Sequence, residues 1–299
     1  MSLDDLAGRV ERKYIELMRS RGIELEDLAL MSERELAGKI GVDRKLAREI
    51  LKEASKLLLK PVTAEELMHE EILLKTGLKG VDELLGGGFR LRTINGIYGP
   101  PSSGKTQFCI HVTVRSLLSV EKGGLSSEAA AFVDTEGTFD PMRASVFLKR
   151  VGLSGSELPR VKVMRVQNVQ QLHQALELSL ELVKSGQSKF VCIDSISNPF
   201  RDSGGLAGLK ERQEELQRVL TALRGIVERG SIVLMTMHAI KWGREIRSKG
   251  GFVLAHAPHN MLCFRRVRGS KIVVTLEDSS YLPPGQAAFA ITEEGLLDL

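Results

Sequence analysis

A chain of 299 residues has room for one large hydrophobic core and a small additional domain. Hydrophobic residues make up 42% and charged residues 27%, which excludes a disordered or fibrous chain and describes a soluble globular one. The net charge of +4 permits nucleic-acid binding without arguing for it, so the clustering of cations must decide. No apolar run is long enough to span a bilayer, and no signal-peptide pattern opens the chain. Cys109, Cys192 and Cys263 form an odd, unpatterned set in apolar surroundings, as expected of reduced core thiols in a cytoplasmic protein.

Residues 1–60 are charge-rich and helical in period. Leu3, Leu6, Val10, Tyr14, Ile15 and Met18 predict a first amphipathic helix. Ser32 followed by Glu35 predicts a capping box. The step Ile40-Gly41-Val42 breaks the pattern, and Asp43 caps a last helix through Leu59. Two helices around that turn, the second carrying Ala47 and Ile50, resemble a helix-hairpin-helix unit. Such a unit offers backbone N–H groups to a DNA phosphate, with Arg44, Lys45 and Arg48 as cations. The other reading is a plain packing module with a solvated face, since acids nearly balance bases here.

Residues 61–75 read as a linker that begins Pro61-Val62-Thr63-Ala64, with an acidic helical stretch from Glu65 to Glu71. Residues 76–299 form the main domain. Leu78, Val81, Leu84 and Leu85 predict a short helix stopped by Gly86-Gly87-Gly88. The run Thr93–Tyr98 reads as a buried strand and opens into Gly99-Pro100-Pro101-Ser102-Ser103-Gly104-Lys105-Thr106. That is the pattern G-x-x-x-x-G-K-T, followed by a helical pattern with Phe108, Ile110 and Val112. Strand, glycine loop and helix N-terminus make a phosphate cradle. Lys105 reaches the β- and γ-phosphates, and Thr106 ligates Mg²⁺. Further apolar runs at Ala130–Val133, Phe190–Ile193, Ile232–Met235 and Met261–Phe264 predict a parallel sheet covered on both faces. Val169–Lys184 and Glu211–Val227 are two covering helices, and Lys271–Val274 and Ala288–Ile291 begin an antiparallel, β-rich end.

Three strand ends carry further chemistry. Asp194 closes an apolar run in the Walker B manner and would hold Mg²⁺ through water. Glu136, after Val133-Asp134-Thr135, is the candidate general base. His238, after Met235-Thr236-Met237, would sense a γ-phosphate or make a plain polar contact. Beyond it, Lys241, Arg244, Arg247 and Lys249 surround Trp242, with Gly243 and Gly250-Gly251 predicting a flexible loop. Cations there would track phosphates while the indole stacks on a base, or Trp242 packs on the core. Arg201 and Arg212 flank a second candidate DNA loop.

The chain resembles the archaeal RadA recombinases of the wider RecA superfamily. The matching stretches are Thr76-Gly77, Leu84–Gly88, Gly99–Thr106, Asp134–Phe139, Ile193–Ser195, Phe200-Arg201, Glu211–Gln213, Gly250-Gly251, Leu254–His256 and Leu282–Pro284. The resemblance implies an α/β fold: a RecA-like P-loop ATPase core with a mostly parallel sheet, plus a small all-α N-terminal domain. It implies ATP and Mg²⁺ as cofactors, single-stranded DNA as a partner, Arg143 against the adenine, and the segment around Pro283 capping a neighbour's nucleotide. Four departures stand out, among them a loop between His238 and Gly250 shorter than in such recombinases and Leu206 where a basic residue is expected in the first DNA loop. Pro61 occupies the place of the Phe that such proteins use to dock on the next subunit, and His238 replaces a glutamine. The expected protein is therefore a RadA paralogue, a recombination mediator assembling with itself or with a RadA-type recombinase. A full strand-exchange recombinase, a non-hydrolysing adaptor and a KaiC-like signalling ATPase are the alternatives.

Overall fold

A computed structural model describes residues 2–65, 72–200, 208–242, 245–248, 254 and 256–299. The chain divides into two compact units, Met1–Glu70 and Glu71–Leu299.

In the first unit a 3₁₀ turn at Leu3–Leu6 precedes α1 (Arg12–Ser20), α2 (Leu25–Leu28), α3 (Glu33–Ile40) and α4 (Arg44–Leu58). The single first helix expected from the periodicity is two pieces. Gly8, at φ 82°, turns the chain between them, and Leu6 and Met18 still reach one core with Leu25, Leu36 and Ile50. The Ser32 box forms: Ser32 Oγ accepts from Glu35 N at 3.3 Å, and the Glu35 carboxylate accepts from Ser32 N at 2.8 Å. Gly41, left-handed at φ 70°, ends α3, and Asp43 caps α4 through Leu46 N at 2.8 Å. Arg48 donates two bonds to Glu33, at 2.6 and 3.0 Å, so this cation is already neutralised. Residues 66–71, most of the expected acidic helix, lie outside the described residues.

The second unit begins with β1 (Leu73–Leu74), α5 (Lys79–Leu84) and β2 (Phe89–Arg90). Then come β3 (Ile94–Gly99), α6 (Lys105–Ser116), β4 (Ala130–Asp134), α7 (Pro141–Arg150), β5 (Val161–Arg165) and α8 (Val169–Lys184). They are followed by β6 (Phe190–Asp194), α9 (Gly208–Glu228), β7 (Ile232–Trp242) and β8 (Glu245–Ser248). The chain closes with β9 (Asn260–Arg268), β10 (Lys271–Ser279), β11 (Gly285–Thr292) and β12 (Gly295–Asp298). The main sheet runs β12-β11-β10-β9-β3-β7-β6-β4-β5, with β8 paired to β7. Strands β9, β3, β7, β6, β4 and β5 are parallel neighbours, while β10, β11 and β12 add antiparallel.

The parallel strands are apolar on both sides because both sides are covered. Phe132, Cys192 and Leu234 point into one core, which Phe108 of α6 and Phe147 of α7 complete. Val133, Val191 and Val233 point into the other, beneath Leu176 of α8 and Leu223 of α9. All three cysteines are free and buried, as the sequence predicted. Parallel strands set all their C-terminal ends along one sheet edge, where a ligand crevice forms in open α/β sheets. Gly99 pairs with His238 there, and Asp134 with Asp194.

Candidate functional site

The glycine loop leaves β3 at Gly99 and enters α6 at Lys105. A Cβ on Gly99 would sit 2.3 Å from the Phe264 carbonyl oxygen, so only glycine lets β9 lie this close. Gly104 is left-handed at φ 91°, and Ser102 holds φ 62°. Arg266 steadies that turn, donating from Nε to Ser102 O at 2.8 Å and from a terminal nitrogen to Gly269 O at 2.8 Å. Pro100 and Pro101 form the outer bend, with Ser103 N donating to Pro100 O at 3.3 Å. Lys105 folds back across the loop and donates from Nζ to the carbonyls of Gly99 and Pro100, at 2.9 and 3.0 Å. Burial lowers its pKa, opposed by the nearby Asp194 and Glu136 carboxylates. Ser103 Oγ is buried without a hydrogen-bond partner among the described residues. A polar group stranded beside loop N–H groups at a helix N-terminus is the condition a phosphate relieves, so these residues fit a nucleotide triphosphate.

Asp194 lies 1% exposed at the end of β6. Thr106 Oγ1 donates to one of its oxygens at 2.6 Å and Thr236 Oγ1 to the other at 2.5 Å. Burial raises its pKa, and the two hydroxyls oppose that shift. Thr106 and Asp194 thus place two hard oxygen donors at the cradle. This fits magnesium, which uses one or two side chains plus substrate phosphates and water.

Glu136 stands on the rim. Ser195 Oγ donates to Glu136 Oε1 at 2.9 Å, and His238 Nε2 lies 2.8 Å from the same oxygen. Ser195 Oγ and His238 Nε2 are 3.3 Å apart, closing a triangle. Neighbouring Asp134 has a different task. Its carboxylate accepts from the N–H groups of Glu136, Thr138 and Phe139 at 3.1–3.2 Å, shaping the turn that presents Glu136. Thr135 ties that turn to β6: its Oγ1 donates to Ser195 O at 2.7 Å and accepts from Ser195 N at 2.9 Å.

Sequence reasoning therefore brought together Lys105, Thr106, Glu136, Asp194 and His238, and the fold unites all five. It missed the roles of Ser195 and Thr236. Hydroxyls at strand ends belong to no readable spacing. The usable signal was register, because Ile193 pairs with Met235 and the next residues are Asp194 and Thr236.

Arg143, expected against the adenine, projects from α7. It bonds Gln107 Oε1 at 2.5 Å and the carbonyls of Glu293 and Thr292 at 2.7 and 2.6 Å. Its guanidinium also lies 4.6 Å from the Phe147 ring centroid. The arginine thus clamps the β11–β12 turn to α6 and α7.

The segment after His238 needs a correction. It is largely a hairpin rather than a flexible loop: Lys241 and Trp242 end β7, Arg247 lies in β8, and Trp242 pairs with Glu245. Apolar–polar alternation at Ile240-Lys241 and Ile246-Arg247 suits a two-strand ribbon. Arg212 sits on α9. Arg201, Arg244 and Lys249 lie outside the described residues.

A family model described as Rad51 matches residues 68–299. The DNA repair and recombination protein RadA of Metallosphaera sedula is 31% identical over 311 aligned residues, covering 99% of this chain and 95% of that protein. The RadA of Aeropyrum pernix is 31% identical over 309, covering 99% and 96%. With the cradle, the strand-end acids and the sheet order in place, the match across both units makes this chain a member of the Rad51 family.

Proposed function

We propose that this protein is a single-stranded-DNA-dependent ATPase of homologous recombination and DNA repair, working on ATP with Mg²⁺ in the cytoplasm. One observation carries the reading. Lys105, Thr106, Asp194 and Glu136 come from three separate strand ends and meet at one edge of the sheet. Bound Mg²⁺-ATP supplies the phosphoanhydride to be cleaved and the charge that polarises it. The loop N–H groups and Lys105 hold the phosphates, turning Lys105 from the Gly99 and Pro100 carbonyls. Thr106 and Asp194 hold the metal. Glu136 takes the proton of the attacking water, with Ser195 and His238 orienting its carboxylate, and His238 reports the γ-phosphate to β7. Arg143 and the β11–β12 turn border the base.

The same strand β7 leads from His238 to Lys241 and Trp242. With Arg244, Arg247, Lys249, Arg201 and Arg212 they are assigned to single-stranded DNA, cations on phosphate and indole on a base. Residues 1–60 act as a helix-hairpin-helix-like domain, 61–75 as a linker and 76–299 as the ATPase core. Pro61 in place of a docking Phe supports a paralogue that mediates recombination over the main strand-exchange enzyme. Its partners are then itself or a RadA-type recombinase. A second reading, an ATP-binding adaptor with little turnover, is favoured by the engagement of Glu136 Oε1 with both Ser195 and His238.

Phosphate release with and without single-stranded DNA separates the two. The ATPase reading requires turnover that DNA stimulates and that Lys105→Ala abolishes together with nucleotide binding. ATP binding without turnover selects the adaptor.

A further inference from the structure

The carboxylate of Asp194 has two oxygens and two hydroxyl donors, one on each. Thr106 takes one at 2.6 Å and Thr236 the other at 2.5 Å. Thr106 belongs to the phosphate cradle. Thr236 does not: it lies within β7, fully buried, directly beside Asp194 across the β6–β7 ladder. Its backbone carbonyl accepts from Ile196 N at 3.0 Å, so the strand end that carries Asp194 is tied to Thr236 on both sides.

A carboxylate rotates about its last torsion unless both oxygens are held. Thr106 can ligate a metal through its oxygen while its hydrogen still points at Asp194. Thr236 lies in β7, outside the cradle loop, and its hydroxyl holds the other oxygen of Asp194. We infer that Thr236 is a positioning residue for magnesium: it holds the Asp194 carboxylate aimed at the cradle, so that Mg²⁺ meets a prepared ligand. This inference rests on the nucleotide site proposed above.

The test is binding, not turnover. A fluorescent ATP analogue is titrated onto the full chain without divalent metal, and then Mg²⁺ is titrated onto the complex. Thr236→Val keeps the shape and deletes the hydroxyl. Losing an outer partner of a metal ligand weakens the metal by roughly 10–100-fold. Thr236→Val should therefore raise the half-saturating Mg²⁺ concentration by about tenfold or more. Metal-free nucleotide affinity should stay within about twofold. Thr236→Ser should restore Mg²⁺ affinity, because it returns the hydroxyl without the methyl. Should the valine variant fail to fold, Thr236→Ala takes its place in the same titration. Equal Mg²⁺ half-saturation with and without the hydroxyl overturns the inference. So does an equal loss in the metal-free titration, or a serine variant as weak as the valine one. If the unsubstituted chain does not bind the analogue with or without Mg²⁺, the nucleotide-site reading itself has failed, a result distinguishable from the others.

Discussion

Glu136→Gln separates chemistry from binding at this site. The substitution is isosteric, and the amide oxygen can still accept from Ser195 Oγ and His238 Nε2, which hold the carboxylate at 2.9 and 2.8 Å. Those bonds weaken from charge-assisted to neutral, a change on the order of 1 kcal/mol that falls on positioning. The lost proton acceptor weighs more. A positioned general base is worth about 10²–10⁴ in rate, or roughly 3–5 kcal/mol of barrier. The charge removed also matters for binding. Glu136 raises the Asp194 pKa, so its neutralisation eases ionisation of the metal ligand, and it removes repulsion towards a triphosphate. Nucleotide affinity should therefore hold or tighten while turnover falls at least ~10²-fold. Equilibrium binding of an ATP analogue and steady-state phosphate release measure the two separately. Turnover within about threefold of the unsubstituted protein would refute the assignment of Glu136 as base.

If the β7–β8 hairpin binds single strands, each removed cation that contacted a phosphate should lower the salt slope of binding by about 0.7, and Trp242→Ala should cost about 1–3 kcal/mol. Trp242 is the single tryptophan of the chain, so its fluorescence should be quenched by DNA, and an unchanged signal would return it to the core. Pro61→Phe should shift sedimentation towards longer assemblies, since a buried aromatic anchor is worth ~2 kcal/mol or more per junction. Long filaments of the unsubstituted protein would instead restore the strand-exchange recombinase. His111 gives a pH prediction. Burial pushes its pKa down from 6.5 to about 4, with Nε2 against Thr76 O at 2.7 Å. The unfolded chain then binds the proton first, so stability is whole above about pH 6.5 and falls as pH drops towards 4. The loss reaches up to about 3 kcal/mol in chemical denaturation, and His111→Gln should flatten that slope.

Residues adjacent in sequence were legible without the fold. Gly99–Thr106 declares a phosphate cradle because its chemistry needs backbone freedom, a lysine and a hydroxyl at fixed spacing along one loop. The caps at Ser32 and Asp43 are local for the same reason, each a side chain reaching a backbone N–H three residues on. Asp194 and Glu136 could be named because an acid after an apolar run stands at a strand end. Other features waited for tertiary structure. The division of the first helix at Gly8 was hidden because Leu3 to Met18 keep a helical period across the break. The β7–β8 hairpin was masked by glycines that suggested a loop, and only cross-strand pairing revealed it. Above all, the hydroxyls of Ser195 and Thr236 acquire their roles from neighbours 59 and 42 positions away, Glu136 and Asp194. A hydroxyl has no directional signature in sequence. Its partner is chosen by which strands the sheet sets side by side.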